Sequence, residues 1–429
     1  MRIAKRVLAG TAVLAFASLG IAACGAGDTD TKADGPVKIV YSHRLPDSKA
    51  VDEVVAKWNA ENPDIQVSAE QFAGDASDFM PQLKQNVTDG KAACLAQVGY
   101  AELPSAFADG IVKDVTEFVT DDAKKTYAGT IDMMSVGGKY FGIPQDNGPL
   151  VYYYNAAEFE KLGIEVPTTA EEFTAAAKKA ADAGKYIFTY QTDEIGNMFA
   201  GLAIAAGGAP YEVSGEGYKV NWGSDAGVKK AADFVQKMVD DKSALSVIRW
   251  DTSSFDAKVA DGTIIGGIGA AWEYGGYVAA AKGQEGQWKV AQLPDLGGGA
   301  LTGPDGGSGV AVTASCEYPE QAMKFNTWFN DQVDMLAGPQ AVVPASTTAA
   351  ATPEEAKAFF DQDIFAEFAK ANGMMGKAVF VPVWNDTLGA AKEKGADVPG
   401  GSAKMSDVVK ATQDKAVALL EQGGYTVVK

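Results

Sequence analysis

Two spacings of apolar residues alternate along this chain, and each change of spacing marks an element. VKIVYS (37–42) is rich in β-formers and runs into HRLP (43–46), which predicts a strand. Val51, Val54, Val55 and Trp58 then recur at i, i+3, i+4 and i+7, one face of a helix, until Asn62-Pro63 stops it. IQVS (65–68) reads as a second strand running toward Gln71-Phe72, and LAQVGY (95–100) as a third with its carboxyl end. Strand, helix and strand within about 30 residues make a βαβ unit, so the first lobe is expected to hold a largely parallel sheet.

The middle of the chain is mixed. GKYFGIPQDNGPLVYYYN (138–155) predicts a short hairpin, a proline-marked crossing and an apolar strand. AAEFEKLG is a short helix ended by Gly163. PTTAEEFTAAAKKAADAG carries a capping box, Thr169 with Glu172, and a glycine stop at Gly184. Helical spacing recurs at 198–206, 226–239 and 320–329. The run 297–309, GGGALTGPDGGSG, reads as a flexible loop of the hairpin-tip kind. GPQAVVPASTTAAATPEE (338–355) reads as a second crossing, closed by a capping box of Thr352 and Glu355 with Pro353 at the first helical position. No internal repeat is present.

The amino terminus changes the picture. Arg2, Lys5 and Arg6 form a positive head, and residues 7–23 carry no charge. That is the layout of a secretory signal, short and small-residue-rich for a membrane span, which is the rival reading. Ile21-Ala22-Ala23-Cys24 resembles the lipobox of bacterial lipoproteins, with plain A-x-A cleavage beside an incidental cysteine as the competing reading. On the lipobox reading 1–23 is the signal peptide, Cys24 carries the lipid, and 24–35 is a flexible tether at the extracellular face of the cell membrane.

Loss of the signal leaves 34 basic against 56 acidic residues, a net charge of −22. Such a surface opposes binding to nucleic acid, which needs lysine and arginine to neutralise phosphates. Cys94 and Cys316 are too few for a disulfide framework and read as buried thiols, with a single bridge as the alternative. The length suffices for two α/β lobes with sizeable cores.

Enzymatic signals are scarce. His43 is the only histidine, which excludes metal sites built on several histidines, and no G-x-S-x-G elbow accompanies it. No P-loop is present. Asp146 with Glu273 could serve a glycoside hydrolase, but carboxylate pairs are expected anywhere in so acidic a chain. No cofactor or metal is expected.

Aromatic and amide side chains instead gather where strands are predicted to end or the chain to cross: Tyr41, Phe72, Tyr100, Gln145, Trp272, Tyr274 and Trp384. Ligands of open α/β sheets sit outside the carboxyl ends of strands. Flat rings suit the C–H faces of sugars, and amides and carboxylates satisfy hydroxyl groups. Such a set fits a neutral, hydroxyl-rich ligand better than a phosphate.

With these motifs on the page, the chain resembles a family-one extracellular solute-binding protein, the maltose-binding-protein-like receptors of ABC importers. The most specific piece is YFGIPQDNGPLVYYYNAAEFEKLGIEVPTTAEEF, which resembles the family's hinge–strand–helix signature. DGTIIGGIGAAWEYGGY, CLAQVGYAELPSAFADG and GGSGVAVTASCEYPEQAMKFNTWF add to it. The resemblance implies a type II periplasmic-binding-protein-like α/β fold with discontinuous, hinge-linked lobes: 36–146 with 307–345, and 147–306 with 346–429. It implies a monomer that delivers an oligosaccharide (xylo-, arabinoxylo-, gluco- or α-1,6-linked as first candidates) to permease subunits served by a separate ATPase. Carried over by position, the ligand contacts are Tyr41, His43, Arg44, Phe72, Gln97, Tyr100, Gln145, Asp146, Asn197, Trp272, Glu273, Tyr274, Ser308 and Trp384. Trp272 and Trp384 are the expected stacking platforms, and Asp146 and Glu273 the expected hydroxyl acceptors. Asn147 and Cys94 depart from the family's usual residues, which bears on subsite specificity. The alternative readings are a receptor for a charged ligand such as a polyamine, and a secreted glycoside hydrolase.

Overall fold

The first βαβ unit forms as its spacing predicts. In the computed structural model, which describes residues 35–428 apart from 74–75 and 216, strand Val37–His43 pairs in parallel with Ile65–Gln71. Helix Ser48–Glu61 connects them, burying Val51, Val55 and Trp58 against the sheet. Asp47 caps that helix by accepting from the Ala50 N–H at 3.1 Å. The signal peptide, Cys24 and all of the tether but Gly35 lie outside the described residues.

The sheet of this lobe has six strands in the order Val343–Pro344, Gly142–Asn147, Ser308–Val312, Leu95–Gly99, Val37–His43, Ile65–Gln71. It departs from the expected largely parallel arrangement at two strands, of which the edge strand Val343–Pro344 runs antiparallel to Gly142–Asn147. The return strand Ser308–Val312 is inserted antiparallel between Leu95–Gly99 and Gly142–Asn147. Strands 37–43, 65–71, 95–99 and 142–147 therefore place their carboxyl ends along one edge, and the returning strand begins there.

Cys94 and Cys316 are joined by a disulfide, so the buried-thiol reading is corrected. The bridge closes a separation of 222 residues, which the spacing alone could not reveal. It ties the start of Leu95–Gly99 to the end of its neighbour Ser308–Val312. A cross-link of this span constrains the unfolded chain by on the order of 2–5 kcal/mol.

The second lobe is built on Leu150–Asn155, flanked antiparallel by Gly266–Ala270 and Trp288–Ala291. A parallel pair, Thr189–Gln191 with Leu245–Val247, lies beside it. Helices Ala170–Asp182, Ile195–Ala205, Ala226–Asp240 and Met405–Gln422 supply the largest core, together with Phe173, Phe188, Trp222 and Trp384. Thr169 caps the first of these as expected, but the Glu172 carboxylate reaches the Thr168 N–H and hydroxyl instead of closing the box. Thr352 does not cap helix Glu354–Phe360 as expected. Its hydroxyl lies between the Asp363 carboxylate and the Phe365 N–H, at the start of the following helix.

Two chain segments cross between the lobes side by side, bridged antiparallel at Pro149 and Pro304. The glycine-rich run 297–309 is thus part of a crossing and not a hairpin tip. Asp305 donates its N–H to the Gly148 carbonyl, and Leu150 donates to the Gly303 carbonyl.

Candidate functional site

Beside these crossing segments, the carboxyl edge of the six-stranded sheet forms the first wall of the candidate site. Arg44 is the residue after strand Val37–His43, and its N–H donates to Gln97 Oε1 at 2.7 Å. Its guanidinium forms a bidentate pair with Glu102 at 3.2 and 3.1 Å and lies 4.9 Å above the Phe79 ring. Gln97 Nε2 donates to Ser308 Oγ at 3.0 Å, and Ser308 donates in turn to the Asp146 carboxylate. The register slips between Ser308 and Gly309. Bulges of this kind re-aim one side chain at a sheet edge, and here the slip sets Ser308 opposite Asp146. Gly307 has φ +94°, and a Cβ there would stand 2.8 Å from the Tyr100 ring, so only glycine lets the crossing approach this wall.

Asp146 is buried, and desolvation pushes its carboxyl up to about 6, partly offset by the Ser308 hydrogen bond and by Arg44. The folded state holds this proton more tightly than the unfolded state. The group's contribution to stability is full below the ordinary aspartate range and is lost as pH rises through about 6. Asp146→Asn is therefore expected to melt higher than the parent at pH 7, by the equivalent of up to about 3 kcal/mol, and to match it near pH 4. The same variant loses an anionic acceptor, so its ligand-induced rise in Tm at pH 7 is expected to shrink. Calorimetric melts at both pH values, with and without ligand, check both halves.

The second wall is aromatic and belongs to the other lobe. Trp272 lies in the one-turn helix Ala271–Glu273 that follows strand Gly266–Ala270. Tyr153 fixes that turn by donating its hydroxyl to the Ala270 and Ala271 carbonyls at 2.9 and 3.1 Å. The Trp272 indole is half-buried, and its N–H donates to the Asp305 carbonyl at 2.9 Å. Trp250 lies parallel to it, with ring centroids 5.9 Å apart and 9° between planes. Asn197 is exposed at the start of Ile195–Ala205 and donates to Glu194 Oε2 at 2.9 Å. The Asp305 carboxyl, in the crossing beside Glu273, Glu194 and Arg249, is pushed up to about 8, chiefly by desolvation.

Of the residues named from sequence, Arg44, Gln97, Tyr100, Asp146 and Ser308 come together on the first wall, and Trp272 and Asn197 on the second. Others face elsewhere. Tyr41 sits two residues inside its strand and packs in the first-lobe core, 5.2 Å from Phe329. Gln145 is fully buried and donates to Tyr41 and Asn330. His43 is buried at the strand end with its ring 5.4 Å from Tyr41. Phe72 meets Phe79 edge-on at a side cavity of about 410 Å³ beneath helix Ala76–Thr88.

Three second-lobe residues also do other work. Trp384, at the start of helix Trp384–Gly395, is 5% exposed and packs on Tyr211 and edge-on to Phe380. Glu273 is consumed by Arg249 at 2.6 Å and by the Ala270 N–H at 2.8 Å, so it holds the platform and is no free acceptor. Tyr274 donates its hydroxyl to the Ala337 carbonyl at 2.6 Å.

Arg249, Trp250, Asp193, Glu194, Glu102 and Asp305 were not anticipated. Four of them follow the strands Leu245–Val247 and Thr189–Gln191, so the strand-end rule could have found them had these short strands been recognised. Among the described residues no three His, Cys, Asp or Glu side chains are placed to hold a metal ion, and no helix is long and apolar enough to cross a membrane.

Comparison with known proteins bears on the family and the fold. Residues 53–363 match the family described as bacterial extracellular solute-binding protein. A Bifidobacterium longum galacto-N-biose/lacto-N-biose I-binding protein of an ABC transporter, solved with lacto-N-biose, is 47% identical. The match covers 93% of this chain and 100% of that one, with TM-score 0.87. A binding protein associated with an ABC transporter of B. animalis subsp. lactis, solved with β-1,6-galactobiose, shares the fold at 23% identity, TM-score 0.75 and 92% and 100% coverage. An uncharacterized lipoprotein of Streptomyces antibioticus is 25% identical over 349 residues, 78% of this chain and 73% of that one.

Proposed function

Because the chain belongs to the bacterial extracellular solute-binding protein family, we propose that it captures an oligosaccharide between its two lobes and delivers it to an ABC import permease. One observation carries this reading. A fixed, half-buried indole, Trp272, stands across the crossing segments from a buried hydrogen-bonding set, Asp146, Ser308 and Gln97. A sugar ring has one surface for each: C–H faces for the indole, hydroxyls for the carboxylate and amide. Lacto-N-biose and galacto-N-biose are the first ligands of choice, because the 47% identical B. longum protein is named for them.

The lipid anchor on Cys24 and the extracellular face of the membrane belong to the same proposal, supported by the lipobox-like sequence and by the lipoprotein relative. So do lobe limits at 146/147, 306/307 and 345/346. In mechanism, an open form exposes both walls, and a sugar touching both favours closure by no more than its difference in affinity for the two forms. Capture at micromolar affinity needs about 8 kcal/mol net, within reach of a stacked ring and several hydrogen bonds. The closed form then offers the permease a surface the open form lacks.

A polycationic ligand is less well served. The Asp305 carboxyl is pushed up to about 8, Arg249 neutralises Glu273 and Arg44 pairs with Glu102, so Asp146 is not part of a concentrated anionic cluster. A melting-shift panel separates the readings: lacto-N-biose, galacto-N-biose, and xylo-, arabinoxylo-, gluco- and α-1,6-linked oligosaccharides against spermidine. At least one neutral sugar is expected to raise Tm and to titrate calorimetrically. A shift with spermidine alone would overturn the sugar reading, and release of reducing ends on long incubation would replace binding with hydrolysis.

A further inference from the structure

Helix Ala76–Thr88 carries two stripes side by side. Phe79, Leu83 and Val87 pack into a core cluster of the first lobe. Asp78, Gln82 and Asn86 recur at i, i+4 and i+8 along the neighbouring stripe, and all three line the side cavity of about 410 Å³. The sheet beneath is polar where it meets them. Glu70, Ser42 and Ala96 stand in one row across three strands, and Ala96 belongs to the cluster that this helix covers. Sheet faces packed under helices are ordinarily apolar. A carboxylate and a hydroxyl in that row, set against a polar helix stripe, leave a space that apolar packing does not fill. Its apolar floor is Leu83 with Phe72 and Phe79, whose rings meet edge-on at 5.1 Å.

The charges lie at opposite ends of this space. Glu70 closes its strand just before Phe72, and Asp78 sits in the first turn of the helix, so both carboxylates share one end. Lys91 marks the other, where its main-chain N–H donates to the Asn86 carbonyl at 2.8 Å. Among the described residues these three side chains enter no ion pair, whereas Lys84 of the same helix pairs with Asp109 at 2.8 Å. From Asp78 to Asn86 the helix rises about 12 Å, and three residues of extended chain span about 10 Å. The amides of Gln82 and Asn86 and the Ser42 hydroxyl stand between the ends, and such groups suit peptide bonds.

We propose that this cavity is a second ligand site, which takes a short peptide with free termini, about three residues long. The peptide's ammonium group meets Glu70 and Asp78, its carboxylate meets Lys91, and its peptide groups meet Gln82 and Asn86. A neutral sugar makes no use of the lysine, and a polyamine is repelled by it, so the separated charges select a zwitterion. The inference is independent of sugar capture between the lobes and adds a ligand class to it.

The test is calorimetric titration with trialanine, its N-acetylated form and its carboxyl-terminal amide. The proteins are the parent, Glu70→Gln, Lys91→Met and Trp272→Ala; Glu70 and Lys91 are exposed, so neither change touches the core. The parent is expected to bind trialanine, and to bind each capped form at least fivefold more weakly. Lys91→Met is expected to weaken trialanine at least fivefold while changing the affinity for the amide less than twofold, because the amide has already lost that contact. Glu70→Gln is expected to weaken trialanine and to spare the N-acetylated form in the same way. Trp272→Ala is expected to bind trialanine as the parent does. No heat at millimolar trialanine, or equal affinity for free and capped forms, would overturn the site. Binding lost in Trp272→Ala and kept in Lys91→Met would place the peptide between the lobes and overturn it too. A neutral sugar that still titrates into Trp272→Ala but not into Glu70→Gln would overturn the peptide class.

Discussion

Trp272→Ala is expected to weaken sugar binding tenfold or more while leaving the melting temperature of the unliganded protein close to that of the parent. The indole is half-buried, and its one polar group already has a partner, the Asp305 carbonyl. Its plane is thus set before ligand arrives, and replacement by alanine removes ring surface from the ligand side more than from any core. Tenfold corresponds to about 1.4 kcal/mol, a modest demand on one stacked ring given the area an indole covers. Trp272→Phe keeps a flat face and is expected to fall between. Titration calorimetry reads the change, and an alanine variant with parental affinity would remove Trp272 from the site.

A larger loss, in stability as well as binding, is expected from Arg249→Met. Arg249 and Glu273 are each 5% exposed at the side chain, with Nη2 and Nε both 2.6 Å from Glu273 Oε2. Space for the carboxylate exists because residue 269 is glycine, where a Cβ would stand 2.7 Å from Glu273 Oε1. Removing the cation leaves a buried anion unpaired, a loss of the order of 3–5 kcal/mol in comparable pairs. It also frees Trp250, whose ring rests near the guanidinium. Replacing both partners with apolar residues of similar volume is expected to recover much of the stability and little of the affinity. Urea unfolding of the single and double variants, with a sugar titration of each, checks this. A single variant as stable as the parent would contradict the role given to the pair.

Helix periodicity and strand composition made the first lobe legible, because each element there buries one regular face. The crossing was legible from a proline-marked strand, and Trp272 was singled out by the resemblance of DGTIIGGIGAAWEYGGY to a segment of the family. Residues near a strand end were harder. Tyr41 and Arg44 are three positions apart, yet one points into the core and the other starts the groove, and only the strand's true end decides between them. Trp384 shows the same limit for helices. Phe380 packs against a core cluster of each lobe, while Trp384 turns into its own lobe. The disulfide and the Arg249–Glu273 pair join residues distant in sequence, and no local pattern announces either.

The most direct test is a crystal structure with the tightest-binding sugar of the panel. One ring is expected against the face of Trp272, with hydroxyls on Asp146 or Gln97 and both lobes in contact with the ligand. A sugar bound outside the groove, touching one lobe and neither Trp272 nor Asp146, would contradict the account.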